Sequence, residues 1–190
     1  YEKAEKLALL MTEEFPNFNL SWKILSCIYL LKGKSHDALS SSQKAIKVDS
    51  NDFDAHNNLG LVYFKLNKYD DALNSCKKAH QLQPDNTEIF FNLAVILGKL
   101  NRFDDAIKEC RKAIKLKPNF TEVYSYLGIM LHKINKLDEA KFNYQKALEL
   151  NPKYAPAIRN LKILIKEFKL IDLIKNKREA RSPLINDLYK

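Results

Sequence analysis

The side chains in this 190-residue sequence that could do catalytic or metal chemistry are three cysteines, four histidines and 23 carboxylates, and their spacing limits what they can do. Cys27, Cys76 and Cys110 form no CxxC pair, and three thiols cannot all pair with one another, so neither a zinc site nor a disulfide framework is indicated. His36, His56, His80 and His132 contain no i, i+4 pair, the spacing that would place two imidazoles on one helix face for a shared metal. A phosphate-binding loop needs a run of glycines, and there are only four in the chain. Catalysis further requires a nucleophile beside a positioned base, or carboxylates paired in a cleft, and the acids here are spread along the whole length. The reading is of a chain that is not an enzyme and carries no metal or cofactor.

Composition narrows the class. A hydrophobic content of 46% with 29% charged residues is that of a folded chain and excludes a disordered tail. No apolar run approaches the roughly 20 residues of a membrane-spanning helix, and no charged-then-apolar leader opens the sequence. Free thiols fit a reducing compartment, so a cytoplasmic protein without a membrane partner is expected. The net charge of +9 would suggest nucleic acid if it formed one patch. Instead residues 155–190 hold nine Lys or Arg against four Asp or Glu, so more than half of the excess sits in the last segment, and nucleic acid is not the expected partner.

The elements that position these side chains follow from a repeat. Leu25, Leu59, Leu93, Leu127 and Leu161 recur every 34 residues. In the same register run Ala38, Ala72, Ala106 and Ala140, each preceded by an acid, then Ala45, Ala79, Ala113 and Ala147, and then Pro16, Pro84, Pro118 and Pro152, interrupted only by Ser50. Trp22, Leu25, Ser26 and Tyr29 fall at i, i+3, i+4 and i+7, an amphipathic helical stripe, and Ala38, Ser42, Ala45 and Ile46 form a second one. Gly33, Asn67, Asn101 and Asn135 share the column between the two stripes, where a helix is expected to end in a left-handed residue. Proline then closes the second helix. Small residues at Ser26, Gly60, Ala94 and Gly128 can let the two helices approach closely across the Ala38 column.

A 34-residue unit with large–Leu–small–Tyr in its first helix, acid–Ala in its second and a closing Pro resembles the tetratricopeptide repeat family. The resemblance spans residues 1 to about 168, and it implies an all-α fold: a right-handed α-α superhelix, or solenoid, of helix-turn-helix repeats that stack because no single hairpin buries enough surface. Residues 1–18 align with the second helix of a truncated repeat, through Tyr1, Ala4 and Pro16, so further repeats are expected to precede it. Full repeats are expected at 19–52, 53–86, 87–120 and 121–154. A capping helix is read at 155–175, with Ile158, Leu161 and Ile165 in their columns and Lys162 replacing the small residue, and a linker or tail at 176–190.

One face of the first helices is left over. Cys27, Leu61, Val95, Ile129 and Ile163 form an apolar column; beside it run Ile24, Asn58, Asn92, Tyr126 and Asn160, then Lys23, Asn57, Phe91, Ser125 and Arg159. In proteins similar to this one such columns line the concave groove where partner segments lie. Lys23, Ile24, Asn57, Asn58, Leu61, Phe91, Asn92, Val95, Tyr126, Ile129, Arg159 and Asn160 are therefore the candidate partner-binding residues. The asparagines are similar to the ladder in the repeat arm of O-linked N-acetylglucosamine transferase, although Tyr126 and Ile24 limit it to Asn58 and Asn92. A chaperone-tail carboxylate clamp is not expected, because Cys27, Glu88 and Asn92 stand at three of its positions. The resemblance implies a scaffold that binds a protein or peptide segment; the alternative is the non-catalytic recognition or oligomerisation arm of a larger enzyme such as a glycosyltransferase or oxygenase.

Overall fold

The computed structural model describes residues 2–188, with side chains described through residue 174. Its elements are ten α-helices in chain order: α1 (Glu2–Glu14), α2 (Asn19–Leu31), α3 (Ser35–Val48), α4 (Phe53–Lys65), α5 (Tyr69–Leu82), α6 (Thr87–Lys99), α7 (Phe103–Leu116), α8 (Thr121–Lys133), α9 (Leu137–Leu150) and α10 (Ala155–Leu188). No strand occurs among the described residues. The chain divides into two compact units, Tyr1–Pro118 with α1–α7 and Asn119–Lys190 with α8–α10. The Tyr1 alignment lies outside the described residues.

The turn between paired helices is the one the Gly/Asn column predicts. Gly33 has φ 73°, and Asn67, Asn101 and Asn135 have φ 59°, 58° and 61°, all left-handed. Each is followed by a residue whose N–H donates back to the last turn of the first helix: Lys34 to Tyr29 O at 2.8 Å, and Lys68 to Tyr63 O, Arg102 to Leu97 O and Lys136 to Leu131 O at 2.9 Å. With the shorter-range bonds from Gly33 N to Leu30 O and its equivalents, this is a Schellman motif, which satisfies carbonyls that the helix end would orphan. The second helices end on one register whether or not proline follows: α3 stops at Val48 before Ser50 just as α5 stops at Leu82 before Pro84. Packing of the hairpin sets that end, and proline only reinforces it.

Within a hairpin the small residues of the first helix meet more than the Ala38 column. A methyl group on Gly60 would lie 2.5 Å from Cys76 Sγ and 3.3 Å from Ala72 O; one on Gly128 would lie 2.6 Å from Tyr144 Cε1. Ser26 Oγ lies 2.6 Å from Ser42 Oγ and donates to Ala38 O at 3.1 Å. The side chains facing the small residues are thus Ser42, Cys76 and Tyr144, with the Ala38-type backbone behind them.

A packing face absent from the sequence reading runs along the first helices. Ser21, Ala55, Ile89, Val123 and Ala157, and Ile28, Val62, Ile96, Met130 and Leu164, are all buried. In the first unit α2, α4 and α6 each pack on the second helix of the preceding repeat as well as on their own, and Ile28 packs with Ala8 of α1. The capping helix shows the same logic. Ala157 and Leu164 are fully buried and α10 packs on α9, whereas Ile165, which needs a second helix of its own repeat, is 39% exposed. The backbone of α10 stays helical to Leu188, past residue 175, where the sequence reading places the change to a linker.

Candidate partner-binding surface

In the first unit the candidate residues stand on α2, α4 and α6. Lys23, Ile24, Asn57, Asn58, Leu61, Phe91, Asn92 and Val95 are neither fully buried nor fully exposed, as expected of a face that the fold leaves uncovered. Their roles diverge. Ile24 packs against the core cluster of Ala8, Leu25 and Ile28, so it serves the α1–α2 contact as well as the surface.

Lys23 is engaged within the fold. Its Nζ lies 2.6 Å from Asp52 Oδ2 and 3.4 Å from Asp54 Oδ2. Asp52 also accepts from Asn19 Nδ2 at 2.7 Å, and its other oxygen caps α4 by accepting from Ala55 N–H at 2.9 Å. Burial works to lower the Lys23 pKa and to raise that of Asp52; the hydrogen bond and charge between them outweigh it, so Lys23 is raised and Asp52 lowered. Beside this pair Cys27 is exposed, yet partial desolvation and the Asp54 charge push its thiol up, away from reactive thiolate character.

The asparagines divide as well. Asn92 Nδ2 donates to Asn57 Oδ1 at 2.9 Å, tying α6 to α4. Neither the Asn57 amide NH2, a donor, nor the Asn92 carbonyl oxygen, an acceptor, has a hydrogen-bond partner among the described residues. Asn58 has no hydrogen-bond partner among the described residues. Leu61 on α4 and Val95 on α6, at the matching position of the next repeat, supply half-exposed apolar surface beside them.

In the second unit, Tyr126 and Ile129 stand on α8 and Arg159 and Asn160 on α10. Ile129, Arg159 and Asn160 line a cleft of about 430 Å³ between these helices, together with Ile163 and Lys133. Tyr144 forms part of its wall and is 1% exposed, its ring lodged where Gly128 has no side chain. One end is closed by His132, whose Nε2 lies 2.7 Å from Glu167 Oε2. Ser125, in the column of Lys23 and Arg159, is instead buried, and its hydroxyl has no partner among the described residues.

Sequence reasoning missed Asp52, Tyr144, His132 and Glu167. Tyr144 alone carried a signal, being the one bulky member of a column otherwise held by Ser42, Cys76 and Cys110. The other titratable groups have structural surroundings. Cys76 and Cys110 are buried and their thiols pushed up to about 12, which makes them inert. His80 packs against Phe90 in a tilted arrangement, with centroids 4.9 Å apart and ring planes at 57°. No cluster of three metal-ligating side chains occurs among the described residues, and no helix among them is long and apolar enough to cross a membrane.

Comparison with known proteins places the geometry in context. The tetratricopeptide repeat model matches residues 53–86, 87–120 and 121–154, and a further TPR repeat model matches residues 28–67. No curated protein sequence matches the chain. Among solved structures, the first TPR domain of Spaghetti (RPAP3), bound to the HSP90 peptide SRMEEVD, is 30% identical over 64% of this chain and 96% of its own, with a TM-score of 0.61. YrrB, a TPR protein with an unusual peptide-binding site, superposes with a TM-score of 0.70 at 24% identity, covering 87% of this chain and 86% of its own. A thermophilic TPR protein of Thermus thermophilus gives a TM-score of 0.74 at 21% identity, over 87% of this chain and 90% of its own. With one family model covering more than half of its length in the register of its helices, the chain belongs to the tetratricopeptide repeat family.

Proposed function

We propose that this chain is a protein–protein interaction scaffold that holds an extended or helical segment of a partner against the uncovered faces of its first helices, without catalysing a reaction itself. The observation that carries this reading is the surface of α4 and α6. There Asn58 and the Asn57–Asn92 pair present amide groups with no further partner among the described residues, beside partly exposed Leu61 and Val95. Amides that offer both a donor and an acceptor can pair with the main chain of a peptide whatever its side chains, while the apolar residues take up alternate side chains. Related structures lend support: the Spaghetti domain holds a peptide, and YrrB is described by its peptide-binding site.

The test uses a segment selected from a displayed peptide library by the unaltered chain, with affinity read by calorimetry and stability by thermal melting. Asn58→Ala is expected to weaken binding by about 0.5–1.5 kcal/mol and leave melting unchanged, since the Asn58 side chain has no hydrogen-bond partner among the described residues. Phe91→Ala should cost more in binding, because aromatic side chains commonly anchor interfaces. Asn92→Ala should lower both affinity and melting, since it also breaks the link to Asn57. A large drop in melting for Asn58→Ala, or undiminished binding in all three variants, rejects the surface.

A further inference from the structure

The second unit carries a strip of unusual charge. The cleft between α8 and α10 adjoins another of about 390 Å³ on α10 itself, floored by Ile158 and the 53% exposed Ile163 and walled by Arg159, Lys162 and Lys166. The two clefts share Arg159 and Ile163, so they form one surface with an apolar centre. Lys133, Arg159, Lys162 and Lys166 rim it, all four exposed, and none has a carboxylate partner among the described residues. Its single acid, Glu167, is taken by His132.

Lys162 also says what does not cover this face. It occupies the position held by Ser26, Gly60, Ala94 and Gly128 in the earlier repeats, where a side chain as long as lysine's would collide with a close-packed second helix of the same kind. Clustered like charges on one helix face repel one another unless counter-charge is supplied from outside. Anchoring residues of a partner would find Ile129 and Ile163 within the cleft and the cations around it.

Resting on the scaffold reading and naming its partner chemistry, we propose that α8 and α10 bind an acidic amphipathic segment of another protein, with an aliphatic side chain between Ile129 and Ile163 and flanking carboxylates on Arg159, Lys133, Lys162 and Lys166. Phosphate-rich partners fit less well, because the centre of the strip is apolar and nucleic acid offers no aliphatic side chain to fill it.

The experiment measures fluorescence anisotropy of the full chain with a short labelled peptide alternating Asp and Leu, with Ser/Leu and Lys/Leu versions, a DNA duplex and phosphatidylserine vesicles as comparators. The Asp/Leu peptide is expected to bind best and to weaken as salt rises. The double variant Arg159→Glu, Lys162→Glu should lose about tenfold or more in affinity for it and gain affinity for the Lys/Leu version. Ile163→Ser should weaken binding while the salt dependence persists. These positions are exposed, so circular dichroism should show unchanged helicity. Equal affinity for the Ser/Leu peptide, preference for DNA or vesicles, or an unaffected charge-reversed variant overturns the proposal. Should the Asp/Leu peptide fail while a library-selected segment still responds to Asn58→Ala, this assignment falls and the scaffold reading on α4 and α6 stands.

Discussion

The hairpin of α2 and α3 and the hairpin of α8 and α9 have helices of the same length in the same register, yet they are closed by opposite chemistry. In the first, Ser26 and Ser42 share a hydrogen bond of 2.6 Å in a site where both are essentially inaccessible. In the second, Gly128 yields its side-chain space to the ring of Tyr144. Between them lie the pairs Gly60 with Cys76 and, in the same columns, Ala94 with Cys110. What the repeat specifies at this point is a combined volume, and in one case a mutual hydrogen bond, rather than a residue type. A tightly packed interior tolerates that exchange only when both partners change together.

The largest effect should come from the aromatic version of this pair. Tyr144→Ala empties a fully buried site, and large-to-Ala changes of this kind cost about 3–5 kcal/mol. Gly128→Ala should cost about 1–3 kcal/mol despite the better helix propensity of alanine, because the new methyl overlaps the Tyr144 ring. Joining Gly128→Ala with Tyr144→Cys recreates the Ala94–Cys110 pairing. The double variant is therefore expected to be more stable than the sum of the two single changes predicts. A double-mutant cycle by chemical denaturation checks this, and simple additivity would show that the two residues do not share a volume.

Next in size is the polar version. Ser42→Ala leaves the Ser26 hydroxyl with only its bond to Ala38 O, and weakening a buried hydrogen-bonded pair on one side costs about 1–3 kcal/mol. Ser26→Ala combined with Ser42→Cys should recover most of that loss, since it removes both hydroxyls and again matches the alanine–cysteine pair. A double variant that melts lower than Ser42→Ala would mean that the hydroxyl bonds, rather than the volume, hold this hairpin.

How far the sequence disclosed all this depends on whether a contact repeats. The Gly33–Asn67–Asn101–Asn135 column was legible because a left-handed residue is a local requirement that few side chains meet, and each hairpin needs it. The contacts that shape the candidate surface are different. Asn92 reaches Asn57 and His132 reaches Glu167 across 35 positions, and Lys23 reaches Asp52 across 29. These are diagonals between neighbouring columns, and long side chains choose them by reach and competition among nearby groups. Alignment at a 34-residue spacing shows which residues share a face but not which of them spend their polar atoms on one another. Lys23 and Asn92, read from their columns as groups for a partner, prove to be engaged within the fold. The stacking columns that begin at Ser21 and Ile28 were missed for a simpler reason: their members vary from Ser to Ile and from Ile to Met, so no single residue type marks them.

The smallest expected effect is at Gly60. Alanine there gains roughly 0.5–1 kcal/mol of helix propensity over glycine. Against this stands the contact of the new methyl with Cys76 Sγ at 2.5 Å, closer than real atoms allow. Two facts limit that penalty. Sγ is the end of a short side chain, not a rigid ring, and the Ala94–Cys110 columns show that the next repeat accommodates alanine and cysteine at the same two positions within an equally long hairpin. The clash should therefore be relieved by a small shift of Cys76, and Gly60→Ala is expected to change stability by less than about 1 kcal/mol in either direction. Gly60→Ala with Cys76→Ser tests the shared site from the other side: a shorter C–O bond relieves the overlap, but it buries a hydroxyl that needs an acceptor, which Ala72 O can provide as Ala38 O does for Ser26. Thermal melts of the two variants would separate the contributions. A loss at Gly60→Ala as large as that at Gly128→Ala would show that the first unit, like the second, has no freedom to readjust at this contact.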